Sequence, residues 1–139
     1  MKILQLLIRV ALSVVFLYSG VVKAGASEQF AVGLAPFTIL PPEWTAGFAV
    51  GLAWTEIAAG VLILIPRTRR AGAVLIVALC CLFIGVLVWA LANGIIVACG
   101  CFGGDEAPSA AKMVMAVVRD ILLLLAAVVV LELHRPAEN

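Results

Sequence analysis

Residues 71–92 read AGAVLIVALCCLFIGVLVWALA, and none of these side chains carries a charge. An α-helix rises about 1.5 Å per residue, so this stretch is long enough to cross the roughly 30 Å hydrocarbon core of a bilayer. Arg67, Arg69 and Arg70 stand just before it, and Asn93-Gly94 follows it as a turn signal. The stretch therefore predicts a membrane-spanning helix with well-defined ends.

Three further runs share this length and this scarcity of charge. Together the four runs predict spans at about residues 3–22, 44–65, 71–92 and 112–133, joined by short links. The chain has 139 residues, 65% hydrophobic and 12% charged, which is more apolar material than the interior of a soluble domain can hold. We predict an all-α integral membrane four-helix bundle that forms a single transmembrane domain over residues 1–139.

The orientation of the bundle follows from the basic residues in its short links. Four spans put both termini and the second link on one side of the membrane. That side holds Lys2, Arg67, Arg69, Arg70 and Arg135, with Arg9 just inside the first span. The opposite side holds Lys23 and Lys112 beside Glu28, Glu43, Asp105 and Glu106. This asymmetry predicts a multi-pass protein of the bacterial inner (cytoplasmic) membrane, N-in/C-in, with the link between the third and fourth spans on the periplasmic or extracellular side.

That link contains two cysteines separated by a single glycine, in the segment Cys99-Gly100-Cys101-Phe102-Gly103-Gly104. A disulfide across one residue needs a sharp backbone bend, which glycine permits. Strained and exposed disulfides exchange readily, and disulfides persist on the oxidising side of a membrane. Two alternatives are an inert structural disulfide and a soft metal ion on two thiolates. The segment predicts a pair of reactive thiols.

Ionisable side chains within the spans are costly in lipid, so each is a candidate for function. Glu56 lies near the middle of the second span, and Arg119 and Asp120 lie roughly 10 Å below the outer face in the fourth. We expect Arg9 and Arg119 to approach Glu56 from opposite sides. The group is then either a buried ion pair that fixes helix order or a site that handles protons or a quinone headgroup. Lys23, level with the cysteine segment, is a candidate for stabilising a thiolate.

Cys80 and Cys81 lie near mid-depth in the third span, where adjacent helical side chains point about 100° apart. Helical rise separates them from Cys99 by about 20 Å or more, so direct exchange between the two pairs is not expected. We interpret them as free cysteines that serve as small apolar residues. The alternative is a relay in which Cys99 and Cys101 capture a soft metal and Cys80 or Cys81 receives it.

Small residues predict where helices approach closely. Gly20 lies in the first span, and Gly47, Gly51 and Gly60 lie in the second. Gly47 and Gly51 have the four-residue spacing that favours close helix packing in membranes. We therefore expect these positions to contact neighbouring helices.

Over nearly its whole length the chain resembles the MauE branch of the DoxX-like membrane proteins. The residues that carry the resemblance are Arg9, the run Phe16-Leu17-Tyr18-Ser19-Gly20 ending at Lys23, Glu56 with Gly60, Cys99-Gly100-Cys101-Phe102-Gly103, and Arg119. The resemblance implies a four-helix membrane bundle that acts with a periplasmic thioredoxin-like protein in disulfide handling while an exported protein matures. Methylamine itself is not implied, because similar proteins occur outside that pathway. Cys80 and Cys81 form no part of the family pattern.

The leading hypothesis is a membrane thiol–disulfide oxidoreductase that uses Cys99 and Cys101, with supporting roles for Lys23, Glu56, Arg119, Asp120 and Arg9. The direction of electron flow, the partner and the oligomeric state stay open. A quinone is a candidate electron carrier because the bundle is similar to DsbB and vitamin K epoxide reductase, although their Cys-x-x-Cys is absent here. A net charge of +1 gives no basis for binding nucleic acid. The alternatives are a copper or mercury transporter that uses all four cysteines and an accessory structural subunit of a larger membrane complex.

Overall fold

The computed structural model describes residues 2–25, 41–96 and 109–133. These residues form four helices and no strand: α1 (Lys2–Gly25), α2 (Pro42–Leu64), α3 (Arg69–Ala92) and α4 (Ala110–Glu132). All four are long and apolar enough to cross a membrane. The predicted all-α class of membrane protein is confirmed, and no predicted span boundary differs from a helix end by more than three residues. The N-in/C-in orientation stays a prediction.

Local sequence explains where the helices begin and end. Proline at the first position starts α2, where its fixed φ fits a helix and its missing N–H costs no hydrogen bond. The Ser109 hydroxyl caps α4 by accepting from the Lys112 amide at 3.2 Å. At the end of α3, Gly94 has a φ of 69°. There the amides of Gly94 and Ile95 donate to the carbonyls of Leu91 and Ala90, which is a Schellman motif. The predicted turn at Asn93-Gly94 is confirmed.

Consecutive helices run antiparallel. Ser13 of α1 donates a 2.8 Å hydrogen bond to the carbonyl of Gly60 in α2. The start of α3 packs against the last turn of α2, and α3 and α4 share two buried apolar clusters, one toward each end. One end of the bundle therefore holds the end of α1, the start of α2, the end of α3 and the start of α4, at Gly25, Pro42, Ala92 and Ala110.

The close helix crossings occur at three glycines. A Cβ on Gly20 would lie 2.6 Å from Ile57 Cγ1, and one on Gly60 would lie 2.9 Å from Leu17 Cγ. At Gly72 it would lie 2.5 Å from the backbone nitrogen of Ile63, so α2 and α3 meet there backbone to backbone.

The prediction of close contacts was right for Gly20 and Gly60 and wrong for Gly47 and Gly51. Both of those glycines are exposed, and among residues 2–25, 41–96 and 109–133 nothing lies within 4 Å of an added Cβ. They lie on the outward side of α2, whose inward side carries Ala49, Ala53 and Gly60.

Candidate functional site

A buried ion pair joins α1 to α2 in the core of the bundle. The Nζ atom of Lys23 lies 2.5 Å from Oε1 of Glu56, and each side chain is only 1% exposed. The ring of Phe83 from α3 covers the ammonium group, with its centroid 4.3 Å from Nζ. Three helices therefore contribute to one buried charge pair, and the ring adds a cation–π contact to it.

Arg9 does not approach Glu56, contrary to the expectation from sequence. Its Nε donates to the carbonyl of Ile63 at 2.9 Å, and its Nη2 donates to that of Leu64 at 2.7 Å. Side chains on a helix lean toward its N-terminus, so Arg9 leans away from Glu56 and toward the end of α2. A cation suits that position because the last carbonyls of a helix are unpaired and carry partial negative charge.

A second ion pair lies on α4 between sequence neighbours. Nε and Nη2 of Arg119 donate to Oδ1 of Asp120 at 3.1 Å and 2.9 Å. The Asp120 side chain is 4% exposed, whereas that of Arg119 is 24% exposed. Within residues 2–25, 41–96 and 109–133, Oδ2 of Asp120 is buried and has no hydrogen-bond partner. One oxygen of this carboxylate can therefore accept a hydrogen bond from a small polar molecule.

The two ion pairs share a small cavity between the four helices. Its volume is about 20 Å³, and its lining comprises Val15, Phe16, Ser19, Glu56, Phe83, Arg119, Asp120 and Leu123. A buried water needs roughly 10–15 Å³ of such space and several polar neighbours. The cavity therefore has room for about one water molecule between Glu56 and Asp120.

Cys80 and Cys81 face in different directions, as expected for adjacent helical residues. Both are free thiols, with Cys80 buried and Cys81 exposed on the outside of the bundle. The charges of Asp120, Arg119 and Glu56 act electrostatically on the thiol of Cys80. In the described part of the chain, however, no three His, Cys, Asp or Glu side chains are grouped so as to hold a metal ion.

Cys99 and Cys101 lie outside the described residues. The chain leads toward them from the Schellman motif at Gly94 and returns at Ser109, which caps α4. Of the candidate residues that the structure describes, it brings Lys23, Glu56, Arg119 and Asp120 together at one core site and leaves Arg9 at the opposite end. Phe83 and Ser19 were missed as site residues, because apolar and small side chains in a span carry no distinguishing signal.

These features define a multi-pass membrane protein: a four-helix bundle with paired charges buried in its core. The family model described as methylamine utilisation protein MauE matches residues 1–132 of the chain. The chain belongs to this family, which confirms that resemblance, while the wider relation to DoxX-like proteins stays a prediction. No curated protein and no solved structure matches the chain.

Proposed function

We propose that this member of the MauE family is a membrane thiol–disulfide oxidoreductase. Cys99 and Cys101 exchange redox equivalents with a periplasmic thioredoxin-like protein and so support the maturation of an exported protein. The family description makes methylamine utilisation the first process in which to look for that exported protein. The proposal includes the predicted orientation, with the cysteine segment on the periplasmic side of the inner membrane.

The observation that carries the proposal is the charged core around the small cavity. Charged groups within a bilayer are costly and mark functional sites by default. Here two ion pairs converge from three helices on a space for one water, Asp120 lines that space, and its Oδ2 has no hydrogen-bond partner in the described part of the chain. The cysteine segment connects α3 to α4 at the end of the bundle where the last turn of α1 carries Lys23. This arrangement supports a role in holding or moving protons for thiol chemistry.

The exchange itself needs only the two thiols and a partner disulfide. A thiolate of the Cys99–Cys101 pair attacks one partner sulfur, which breaks the partner's S–S bond and forms a mixed disulfide. The second thiolate then attacks the sulfur of the first, which closes a disulfide in this chain and releases the partner as a dithiol. Two electrons and two protons pass to the partner, and the reverse reaction uses the same intermediate.

The pair must then be reset by another redox carrier. The candidates are a second thiol protein, which reverses the same exchange, and a membrane quinone, which is reduced to quinol as the dithiol becomes a disulfide.

The test is to trap the mixed disulfide. A background with Cys80→Ala and Cys81→Ala removes the other thiols, and Cys99→Ser and Cys101→Ser are then made singly and together. We expect at least one single variant to accumulate a covalent adduct that reductant releases, and the double variant to form none. If neither single variant traps a protein, and oxidants leave the pair unchanged, the proposal fails.

The same variants separate the alternatives. Copper or mercury bound at near one-to-one ratio, and lost on replacing Cys80 and Cys81, would indicate a transporter. Full biological function without Cys99 and Cys101 would indicate a structural subunit.

A further inference from the structure

The carboxylate of Asp120 uses only one of its two oxygens in the described structure. Oδ1 accepts both hydrogen bonds from Arg119, whereas Oδ2 is buried and has no partner among residues 2–25, 41–96 and 109–133. The side chain is 4% exposed, so bulk solvent does not compensate this oxygen. A buried acceptor that belongs to a charged group is costly when it is left unsatisfied, and a proton bound to it removes the charge.

The charges around this carboxylate balance when both core acids are ionised. Helix α1 contributes the positive charge of Lys23, α2 the negative charge of Glu56, and α4 the opposite charges of Arg119 and Asp120. The thiol of Cys80 reaches the same group of charges from α3. One added proton therefore leaves one positive charge in excess, and its cost depends on which cation loses its counter-charge.

A proton on Glu56 leaves the cation that is harder to accommodate. The ammonium of Lys23 is 1% exposed and lies under the ring of Phe83, and an uncompensated charge in such a place is strongly destabilising. Arg119 is 24% exposed, and a protonated acid still has an oxygen that accepts hydrogen bonds from it. Asp120 is therefore the less costly place for the proton.

We propose that the core of the bundle binds a proton at Oδ2 of Asp120, in preference to Glu56. Binding forms one O–H bond, neutralises the carboxylate and leaves Oδ1 accepting from Arg119. The new O–H group is a hydrogen-bond donor. Ser19 and Glu56 line the same cavity as Asp120 and carry oxygens that can accept from it.

This proton site gives the proton handling of the proposed function a defined atom. Its use in thiol chemistry rests on that function, whereas the binding of the proton needs neither Cys99 nor Cys101. The two ideas are therefore tested apart. Titration in the variant with both Cys99→Ser and Cys101→Ser, which cannot form the mixed disulfide, examines the proton site alone.

The test follows the carboxyl groups by NMR in the full chain, purified in an uncharged detergent, as the pH is lowered. The chain has two aspartates, Asp105 and Asp120, so carbon-13 in the aspartate carboxyl groups gives two signals. Asp105→Asn leaves Asp120 as the one labelled group and thereby assigns both. A second sample carries the label in glutamate, and Glu56→Gln identifies the signal of Glu56. We expect Asp120 to lose its negative charge at a higher pH than Glu56.

The assignment of Glu56 does not depend on the folding of Glu56→Gln. If that variant does not fold, the signal of Glu56 is the one that persists when each of the other glutamates is replaced in turn by glutamine. Protonation of Glu56 before Asp120, or of both at the same pH, would overturn the proposal. So would an Asp120 that stays ionised until the protein unfolds in acid.

Discussion

The ammonium of Lys23 and the carboxylate of Glu56 form a salt bridge of 2.5 Å that is almost completely buried. Lys23 is in the last turn of α1, while Glu56 is near the middle of α2. The lysine side chain therefore runs back into the bundle instead of outward to the interface. Long basic side chains near the ends of spans normally extend toward water. Its inward direction makes this pair the first feature to test.

Breaking the Lys23–Glu56 pair from either side should destabilise the protein severely. Removing one partner of a buried ion pair leaves the other charge uncompensated, at a cost of about 3–5 kcal/mol. We expect Lys23→Met and Glu56→Leu each to lose about that much, and the double variant to recover a large part of it. The measurement is denaturant unfolding in detergent micelles. Glu43→Gln, an exposed acid on the same helix, is the matched control and should change little. Additive losses in the double variant would contradict the pairing.

Removing the acid of the Arg119–Asp120 pair should destabilise the protein less than removing the acid of the Lys23–Glu56 pair. Asp120→Leu leaves Arg119, whose side chain is 24% exposed and can turn toward a more polar environment. Glu56→Leu leaves Lys23, which is 1% exposed and lies under the Phe83 ring. We therefore expect Asp120→Leu to unfold at a higher denaturant concentration than Glu56→Leu. The reverse order would mean that the charge left on Arg119 is the harder one to accommodate.

The sequence predicts the helices well because long apolar runs, prolines and the Asn93-Gly94 turn each act locally. It predicts a buried ion pair at Glu56 but not its partner, Lys23, because helical rise gives the depth of a residue and not the direction of its side chain. On α1 that direction is toward the N-terminus, which moves Lys23 inward to Glu56 and moves Arg9 away from it. The direction of helical side chains therefore explains why the Lys23–Glu56 pair was missed and why Arg9 was wrongly expected to approach Glu56.

The sequence pattern also does not predict which face of each helix points into the bundle. Gly47 and Gly51 have a packing spacing but lie on the outward side of α2, whereas Gly72 has no such spacing and lies in the tightest crossing. The short turn between Leu64 and Arg69 holds the two helix ends together, which leaves room only for glycine at that point.

Gly72→Ala should destabilise the bundle by about 1–3 kcal/mol, the usual cost of overpacking. Its Cβ would lie 2.5 Å from a backbone atom of Ile63, so α2 and α3 would have to separate. Gly85→Ala is the matched control on the same helix, since in the described part of the chain nothing lies within 4 Å of a Cβ added there. Alanine is the better helix former, so the control should be neutral or stabilising by up to about 1 kcal/mol. Thermal unfolding in detergent distinguishes them, and equal midpoints would rule out the close crossing.

Cysteine labelling in intact cells should show both termini and the α2–α3 turn on the cytoplasmic side. In a background without the four native cysteines, Lys112→Cys should react with an impermeant maleimide from outside, and Arg67→Cys should react only after permeabilisation. Both positions are exposed at helix ends, one at each end of the bundle. Neither substitution reverses the charge asymmetry, because Lys2, Arg69, Arg70 and Arg135 remain on the inner side and Lys112→Cys removes an outer cation. Labelling of Arg67→Cys from outside would put Cys99 and Cys101 in the reducing cytoplasm, where a stable disulfide is rare. That result would overturn the proposed exchange with a periplasmic partner while leaving the core ion pairs intact.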